Sequence, residues 1–432
     1  PIIKGVYLKS KPRYEILDGL RGVASLLVIL FHIFETLSGL SPAEQIINHG
    51  YLAVDFFYVL SGFVIGYAYD DRWDRMSLCD FFKRRLIRLH PMVIAGTLAG
   101  FCLFCFQQVF ALMNNVNPYK FFIHLILALL MIPCWPSIDI RGWSETNAFN
   151  GPSWTLTYEY FANILYALAI RFLNNIGLAI IVLLGSILNI IFTFNFDFLK
   201  LFGEAHEAQK YTVIGGWSLT SDQIFIGVTR LIYSFFMGYL LYRLKLKIKI
   251  KFGFFICSLI LSFILCCPRI GGISRINSIY ESLSILFVFP LIVMIGAGSE
   301  IENEKLKSIN KFLGEISYPI YITHYPLIYL QTTWFFNNRE KVKLFQKIIS
   351  GVGIIIYAVA FSYGCLKIYD EPVRKWLTEK LLIKNKNLKE KGEEKNDKEN
   401  KDEKKEVKEE DRDPLVERIY PDEKIDEGLG IK

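Results

Sequence analysis

Charge is scarce where a soluble protein of 432 residues would need it. Charged residues make up 21% of the chain, against about 25% in an ordinary globular domain, and they are unevenly placed. Residues 374–432 hold 17 Lys/Arg and 18 Asp/Glu, leaving 32 and 24 for residues 1–373. The formal net charge of +7 is therefore an excess on an apolar body beside a tail that cancels itself. It does not describe a basic nucleic-acid binder, and the imbalance excludes a soluble enzyme. Cysteine is also sparse, with 8 in the chain. Cys102, Cys105, Cys257, Cys266, Cys267 and Cys365 lie in or beside apolar runs, which excludes a disulfide-stapled secreted module. Cys102 and Cys105 form a CxxC without a second pair or a His cluster. They read as small packing residues, and no metal site is expected. A cleavable signal peptide is not expected either: the first apolar run begins near Ile16 and a second follows it, as for a permanent helix.

What is abundant is apolar surface. Hydrophobic residues reach 52%, aromatics 15%, and mean hydropathy is +0.31. Crossing a bilayer as a helix takes about 20 apolar residues. Runs of that kind predict spans at 16–37, 51–69, 91–113, 153–173, 176–196, 221–243, 250–267, 278–297, 311–334 and 344–370. Loop charge then sets the orientation. Residues 38–50 contain no Lys or Arg, whereas 70–90 carry Arg72, Arg75, Lys83, Arg84, Arg85 and Arg88. The lysines of 244–251 and 298–311 fall on that same, cytoplasmic side only if the short run 121–134 does not cross, so that run is read as a half-helix or interfacial segment. Arg269, Arg275 and Arg339 then lie outside, a modest exception to the rule. The expected fold is all-α: a polytopic membrane bundle of about ten helices, both termini cytoplasmic, in the plasma (inner) membrane. Residues 1–376 form the membrane domain and 377–432 a charged cytoplasmic tail, disordered or a solvated helix.

Ionisable groups inside spans point to function. In the first span His32 follows Arg21 by 11 residues. At about 100° per residue both fall on one face, about 16 Å apart. Asp18, Ser25 and Glu35 share that face. Arg21 alone reads equally as a snorkelling or orientation-setting arginine, His32 as an interhelical hydrogen bonder, and Asp18 as a partner for Arg21. Their joint placement favours a polar stripe that lines a cavity or faces a partner helix. The second span brings Asp55, Ser61 and Gly62, the last two suited to close packing. The segment DFFKRRLIRLHP sets Arg84, Arg85 and Arg88 close together, either as a basic face on anionic lipid or as a phosphate clamp. In NGPSWTLTYEYFANILY, Glu159, Asn163 and Tyr166 recur at helical spacing. Glu159 is read as a partner for an arginine, an orienting group for His32, or an acid/base; Trp154 has the usual role of an interfacial anchor as its alternative. In FLGEISYPIYITHYP, Tyr318, Tyr321 and Tyr325 share a face with His324 beside them, and Pro319 and Pro326 free backbone groups. YDEPVRKW reads as a helix-end stop before a basic anchor.

These motifs, in this order, resemble the integral-membrane acyltransferase-3 family, which O-acylates bacterial surface polysaccharides and related acceptors. The resemblance is carried by LDGLRGVASLLVILFH with Arg21 and His32, VDFFYVLSGFVIG, FFKRRLIRLHP with Arg85 and Arg88, NGPSWTLTYEYF, ISYPIYITHYP and IYDEPVRKW, over about residues 14–376. It implies acyl-CoA, commonly acetyl-CoA, as a cytoplasmic donor substrate rather than a bound cofactor, and a glycan or lipid-linked saccharide as acceptor. His32 is implied as the catalytic histidine, with Arg21, Arg85 and Arg88 needed for activity. The expected catalytic set is His32, Glu159 and Arg21. The expected substrate-binding set is Arg84, Arg85, Arg88, Asp18, Ser61, Trp154, Tyr321 and His324. A transporter or flippase for a lipid-linked or acidic substrate, using the same stripe as a pathway, is the alternative. Acceptor identity, acyl chain length and oligomeric state are not legible.

Overall fold

The computed structural model describes residues 11–41, 44–111, 116–196, 210–339 and 341–383. Among them there is no strand. Helices α1 (Glu15–Leu37), α2 (Ala53–Tyr69), α3 (Leu78–Ala111), α4 (Pro118–Leu129), α5 (Trp154–Leu168), α6 (Asn175–Thr193), α7 (Ser221–Arg243), α8 (Gly253–Cys266), α9 (Arg275–Gly298), α10 (Glu304–Thr323), α11 (Tyr325–Asn338) and α12 (Leu344–Leu382) form an all-α bundle. Seven helices (α1, α2 with its preceding turn, α3, α6, α7, α9 and α12) are long and apolar enough to cross a membrane. Helices α4 and α8 are apolar but shorter; at 12 residues, α4 is about 18 Å long, short of a hydrocarbon core of about 30 Å. The chain divides into residues 1–376 and 377–432. Of the second unit only 377–383 are described, and they are helical; the expectation of a disordered tail lies otherwise outside the described residues.

Helix α1 is the axis of the site. It packs along α10, with contacts to α8 and α11. Glycine permits this approach: a Cβ on Gly22 would lie 2.6 Å from the Leu313 carbonyl oxygen, and one on Gly314 would meet the Asp18 Cβ at 2.6 Å. Helices α2 and α7 cross in the same way. A Cβ on Gly62 would sit 1.8 Å from the Phe235 carbonyl oxygen, and one on Gly238 would sit 1.9 Å from that of Val59. The packing expected of Gly62 is therefore realised, as close backbone approach between apolar helices.

Three expected boundaries differ. Residues 70–90 are not a loop: α3 starts at Leu78 and runs on through Pro91. Ser77 Oγ accepts from the Asp80 amide at 3.1 Å and donates to the Asp80 carboxylate at 2.8 Å, a helix-start signal that the hydropathy reading passed over. Arg84, Arg85 and Arg88 thus project from a helix. The run 311–334 is not one helix but breaks at His324 between α10 and α11. Pro326 has no N–H to offer the Ile322 carbonyl four residues back, and Asn150 Nδ2 donates to that oxygen instead, at 2.7 Å. Nor does the last helix stop at Glu371-Pro372. A π-helical turn over Cys365–Asp370 shifts the hydrogen-bond register, and the helix continues through Pro372 because the missing N–H falls where the pattern already changes.

Candidate functional site

Two polar clusters lie along α1, one near each end. At the first, Arg21 Nε donates to Ser317 Oγ at 2.8 Å and Nη2 donates to the Gly314 carbonyl at 3.0 Å. Asp18 pairs with Arg21 Nη2 at 3.3 Å. Arg21 is thereby locked onto α10 rather than directed to a lipid surface. Arg88 faces both Arg21 and Arg85, with Asp370 of α12 in range. Its side chain is exposed. Arg85 Nη2 donates to Glu159 Oε1 at 2.7 Å, and Ser61 Oγ donates to the same oxygen at 2.8 Å. The Nε atoms of Arg84 and Arg85 are buried without a partner. Tyr318, whose hydroxyl donates to the Leu89 carbonyl at 2.7 Å, and Tyr160 stand close to Arg85 and Glu159. Three guanidiniums close enough to feel one another, Arg88 among them with no ion pair of its own among the described residues, suit a polyanion such as a phosphate group.

At the second cluster, His32 Nδ1 lies 2.8 Å from Glu35 Oε2, one turn along α1. A neutral imidazole in this arrangement is protonated on Nδ1, so Nε2 carries a lone pair. That nitrogen makes no hydrogen bond among the described residues. The imidazole is 16% exposed and Glu35 28%. The His32 ring stacks on His324, with centroids 5.5 Å apart at 27°, and meets Tyr325 edge-on at 4.7 Å. His324 is fully buried: its Nδ1 lies 3.0 Å from the carbonyls of Ile320 and Tyr321, and its Nε2 has no partner. The break at His324 supplies these neighbours, since it turns Tyr325 toward α1.

The expected residues are thus distributed. Arg21, Asp18, Arg85, Arg88, Ser61 and Glu159 gather at the arginine cluster. His32 and His324 meet at the other. Glu159 is engaged by Ser61 and Arg85, and the carboxylate on His32 is Glu35. Tyr321 lies between, its hydroxyl 2.9 Å from Thr155 Oγ1 and its ring 5.5 Å from Phe57. Trp154 is buried, packed on Gly216 with the Arg230 guanidinium 5.6 Å from its ring; it is not a surface belt residue.

Several residues escaped the sequence reading. Glu145, in the segment joining α4 and α5, accepts from the Tyr329 hydroxyl at 2.6 Å. Burial pushes its carboxyl up to about 7; the Tyr329 bond and Arg141 oppose the rise, while Asp139 and Glu35 add to it. The Arg141 guanidinium lies 3.6 Å over the Tyr329 ring. Elsewhere Arg230 donates to Asp55 Oδ2 at 2.7 Å and to the Tyr51 carbonyl at 2.7 Å, all fully buried. Glu281 collects the Tyr51 hydroxyl at 2.6 Å, the Val213 amide at 2.7 Å and Arg269 at 3.7 Å. The last two networks tie outlying segments to α2, α7 and α9 and read as structural. Arg230 lies 175 residues from Asp55 and Glu281 lies 230 from Tyr51 and 68 from Val213, so helical spacing carries no trace of these pairs. Among the described residues no three His, Cys, Asp or Glu side chains gather as metal ligands would.

Comparison with known proteins gives a consistent result. A family model described as an acyltransferase domain matches residues 14–367. "Protein 2 in picA locus" of Rhizobium radiobacter is 31% identical over 164 residues, 36% of this chain and 81% of that protein. Acyltransferase MdmB of Streptomyces mycarofaciens is 28% identical over 173 residues, 38% of this chain and 41% of its own length. O-acetyltransferase OatA of Staphylococcus aureus is 37% identical over 87 residues, which are 19% of this chain and 13% of OatA. No solved structure matches significantly.

Proposed function

The chain belongs to the acyltransferase-3 family and is a membrane acyltransferase, and we propose that it moves an acyl group, acetyl in the first place, from cytoplasmic acyl-CoA to a hydroxyl of a surface glycan or lipid-linked sugar. The observation that carries this reading is the state of His32, with Nδ1 held by Glu35 at 2.8 Å and Nε2 in no hydrogen bond among the described residues. That is the arrangement a general base needs. In the proposed step Nε2 takes the proton of the acceptor hydroxyl, and the oxygen attacks the thioester carbonyl. The C–S bond breaks, and the CoA sulfur leaves with the proton that His32 returns. Glu35 keeps the tautomer and offsets the charge of the transient imidazolium. A covalent acyl-histidine route uses the same Nε2 as nucleophile and differs in releasing a burst of CoA before acceptor is added.

The donor's phosphates are assigned to Arg21, Arg85 and Arg88, whose mutual proximity favours a polyanion. From Arg21 to His32 the helix rises about 16 Å, a distance for the flexible pantetheine arm to cover. In this reading both termini and the arginine cluster face the cytoplasm, and His32 faces outward. The test is acyl transfer by membranes holding His32→Ala at wild-type protein levels. The expected loss is about a thousandfold; normal transfer by that variant would sink the mechanism. Mass analysis of surface glycans with and without the protein should differ by one acyl group per acceptor.

A further inference from the structure

Around His32 four polar atoms make no hydrogen bond among the described residues: His32 Nε2, Glu35 Oε1, Glu145 Oε1 and the Tyr325 hydroxyl. They gather around one run of ring contacts from His32 through Tyr325 to Tyr329, which we treat as the wall of a recess. The Tyr325 ring lies 4.7 Å from His32, and the carboxylates of Glu35 and Glu145 are within electrostatic range of its hydroxyl and of each other. Glu145 is only 7% exposed. Its Oε2 is fixed by the Tyr329 hydroxyl, and its Oε1 stands where a Cβ on Gly151 would come within 2.6 Å. With Oε2 held, Oε1 is left to accept from a bound hydroxyl. Beside it, Trp143 is 41% exposed, with its ring 5.6 Å from Tyr329. Arg141 spans the floor, held by the Ala148 carbonyl at 2.8 Å and Gln107 Oε1 at 3.0 Å.

We infer that this recess is the acceptor subsite and that the acceptor presents an uncharged ring with neighbouring hydroxyls, held by Glu145 and Tyr325 against Trp143 with one hydroxyl at His32 Nε2. The inference rests on the acyl-transfer reading above and specifies its acceptor. Carboxylate oxygens accept from hydroxyls, a phenol both donates and accepts, and an indole face packs on ring C–H groups. A carboxylated ring would bring another negative charge beside Glu35 and Glu145, while the nearby Arg141 guanidinium is already engaged by the Ala148 carbonyl, Gln107 Oε1 and the Tyr329 ring, so it is disfavoured.

The test uses membrane vesicles from cells that carry the protein, so that the natural acceptor is present, with radiolabelled acetyl-CoA as probe. Labelled product is hydrolysed and the acetylated unit identified by mass spectrometry. An uncharged sugar bearing a hydroxyl next to the acetylated position is expected; an acetylated uronic acid, or an acceptor without a hydroxylated ring, overturns the inference. At limiting acceptor, Glu145→Gln and Trp143→Ala should each slow label transfer about tenfold while KM for acetyl-CoA moves less than twofold. Trp143 is exposed enough for its variant to fold. Unchanged transfer by both variants also overturns the subsite. If wild-type vesicles transfer no label to any acceptor, the acyl-transfer reading itself falls. If they transfer it to an acidic unit, only the subsite assignment falls.

Discussion

Glu35 and His32 are one helical turn apart on α1, and the Glu35 carboxylate lies 2.8 Å from the His32 Nδ1. The proposed base and its orienting group therefore sit on a single rigid element. This pairing needs no long-range folding to form, whereas Glu159 reaches its partners Ser61 and Arg85 only after α2, α3 and α5 have packed.

The first prediction separates these two carboxylates. Glu35→Gln should lower kcat about tenfold to a hundredfold and move the pH–rate profile, because the tautomer and basicity of His32 change. Glu159→Gln should instead raise KM for acetyl-CoA, because Arg85 loses its anchor. Steady-state kinetics at varied pH distinguish them, and the opposite pattern would reverse the assignment.

Arg88 faces two other guanidiniums with little to neutralise it. Arg88→Ala is expected to raise KM for acetyl-CoA by about ten- to a hundredfold, the worth of a charge-assisted hydrogen bond. Arg88→Lys should recover part of the loss, since a point charge still attracts phosphate. Donor titrations of purified protein in nanodiscs measure this; equal KM values in all three proteins would remove Arg88 from the donor site.

Asn150 satisfies a carbonyl that Pro326 leaves unpaired. Asn150→Leu removes the donor and keeps the volume, so it should destabilise the protein by about 1–3 kcal/mol, seen as a lower unfolding temperature in detergent. A Pro326→Ala background should shrink that penalty, because the restored N–H can serve the Ile322 oxygen.

Gly62→Ala and Gly238→Ala each place a methyl group within 2 Å of a facing carbonyl oxygen. Either should cost about 1–3 kcal/mol or more, visible as loss of folded protein in size-exclusion profiles. The double variant should fall short of the sum, since the first separation of α2 and α7 makes room for the second.

His49 predicts an acid limit. Burial is the main cause that holds its imidazole down at about 4, with Arg269 adding and the Cys267 carbonyl opposing; Glu281 faces it across 4.0 Å. The unfolded chain binds the proton near 6.5, so between about 6.5 and 4 the unfolded state holds more protons and stability falls as pH falls. Unfolding temperatures between pH 7 and pH 4 should decline in the wild type and decline less in His49→Gln.

What could be read in the sequence was whatever a single helix repeats. The α1 stripe of Asp18, Arg21, His32 and Glu35 follows from helical spacing, and the helical class follows from hydropathy. The start of α3 was hidden because hydropathy sees the basic residues and not the Ser77–Asp80 cap. The partner of His32 stayed ambiguous because a local Glu35 and a distant Glu159 are equally good chemistry until packing chooses. Glu145, Arg141 and Trp143 were passed over because they lie in an irregular segment, where no period marks an inward side. Their role depends on Tyr325 and Tyr329, almost two hundred residues further on, and on a helix break whose two prolines were visible while its geometry was not.

Arg21 and His32 hang on one uninterrupted helix, so the interval between them is a whole number of residues and nothing finer. Inserting or deleting one residue between them would swing His32 about 100° around the axis, away from both His324 and Tyr325. The separation of the two clusters is therefore inherited as a fixed count on a molecular ruler. Under the proposed roles, such an enzyme has freedom to change what it accepts in the segment around Trp143, and almost none to change the reach it demands of its donor.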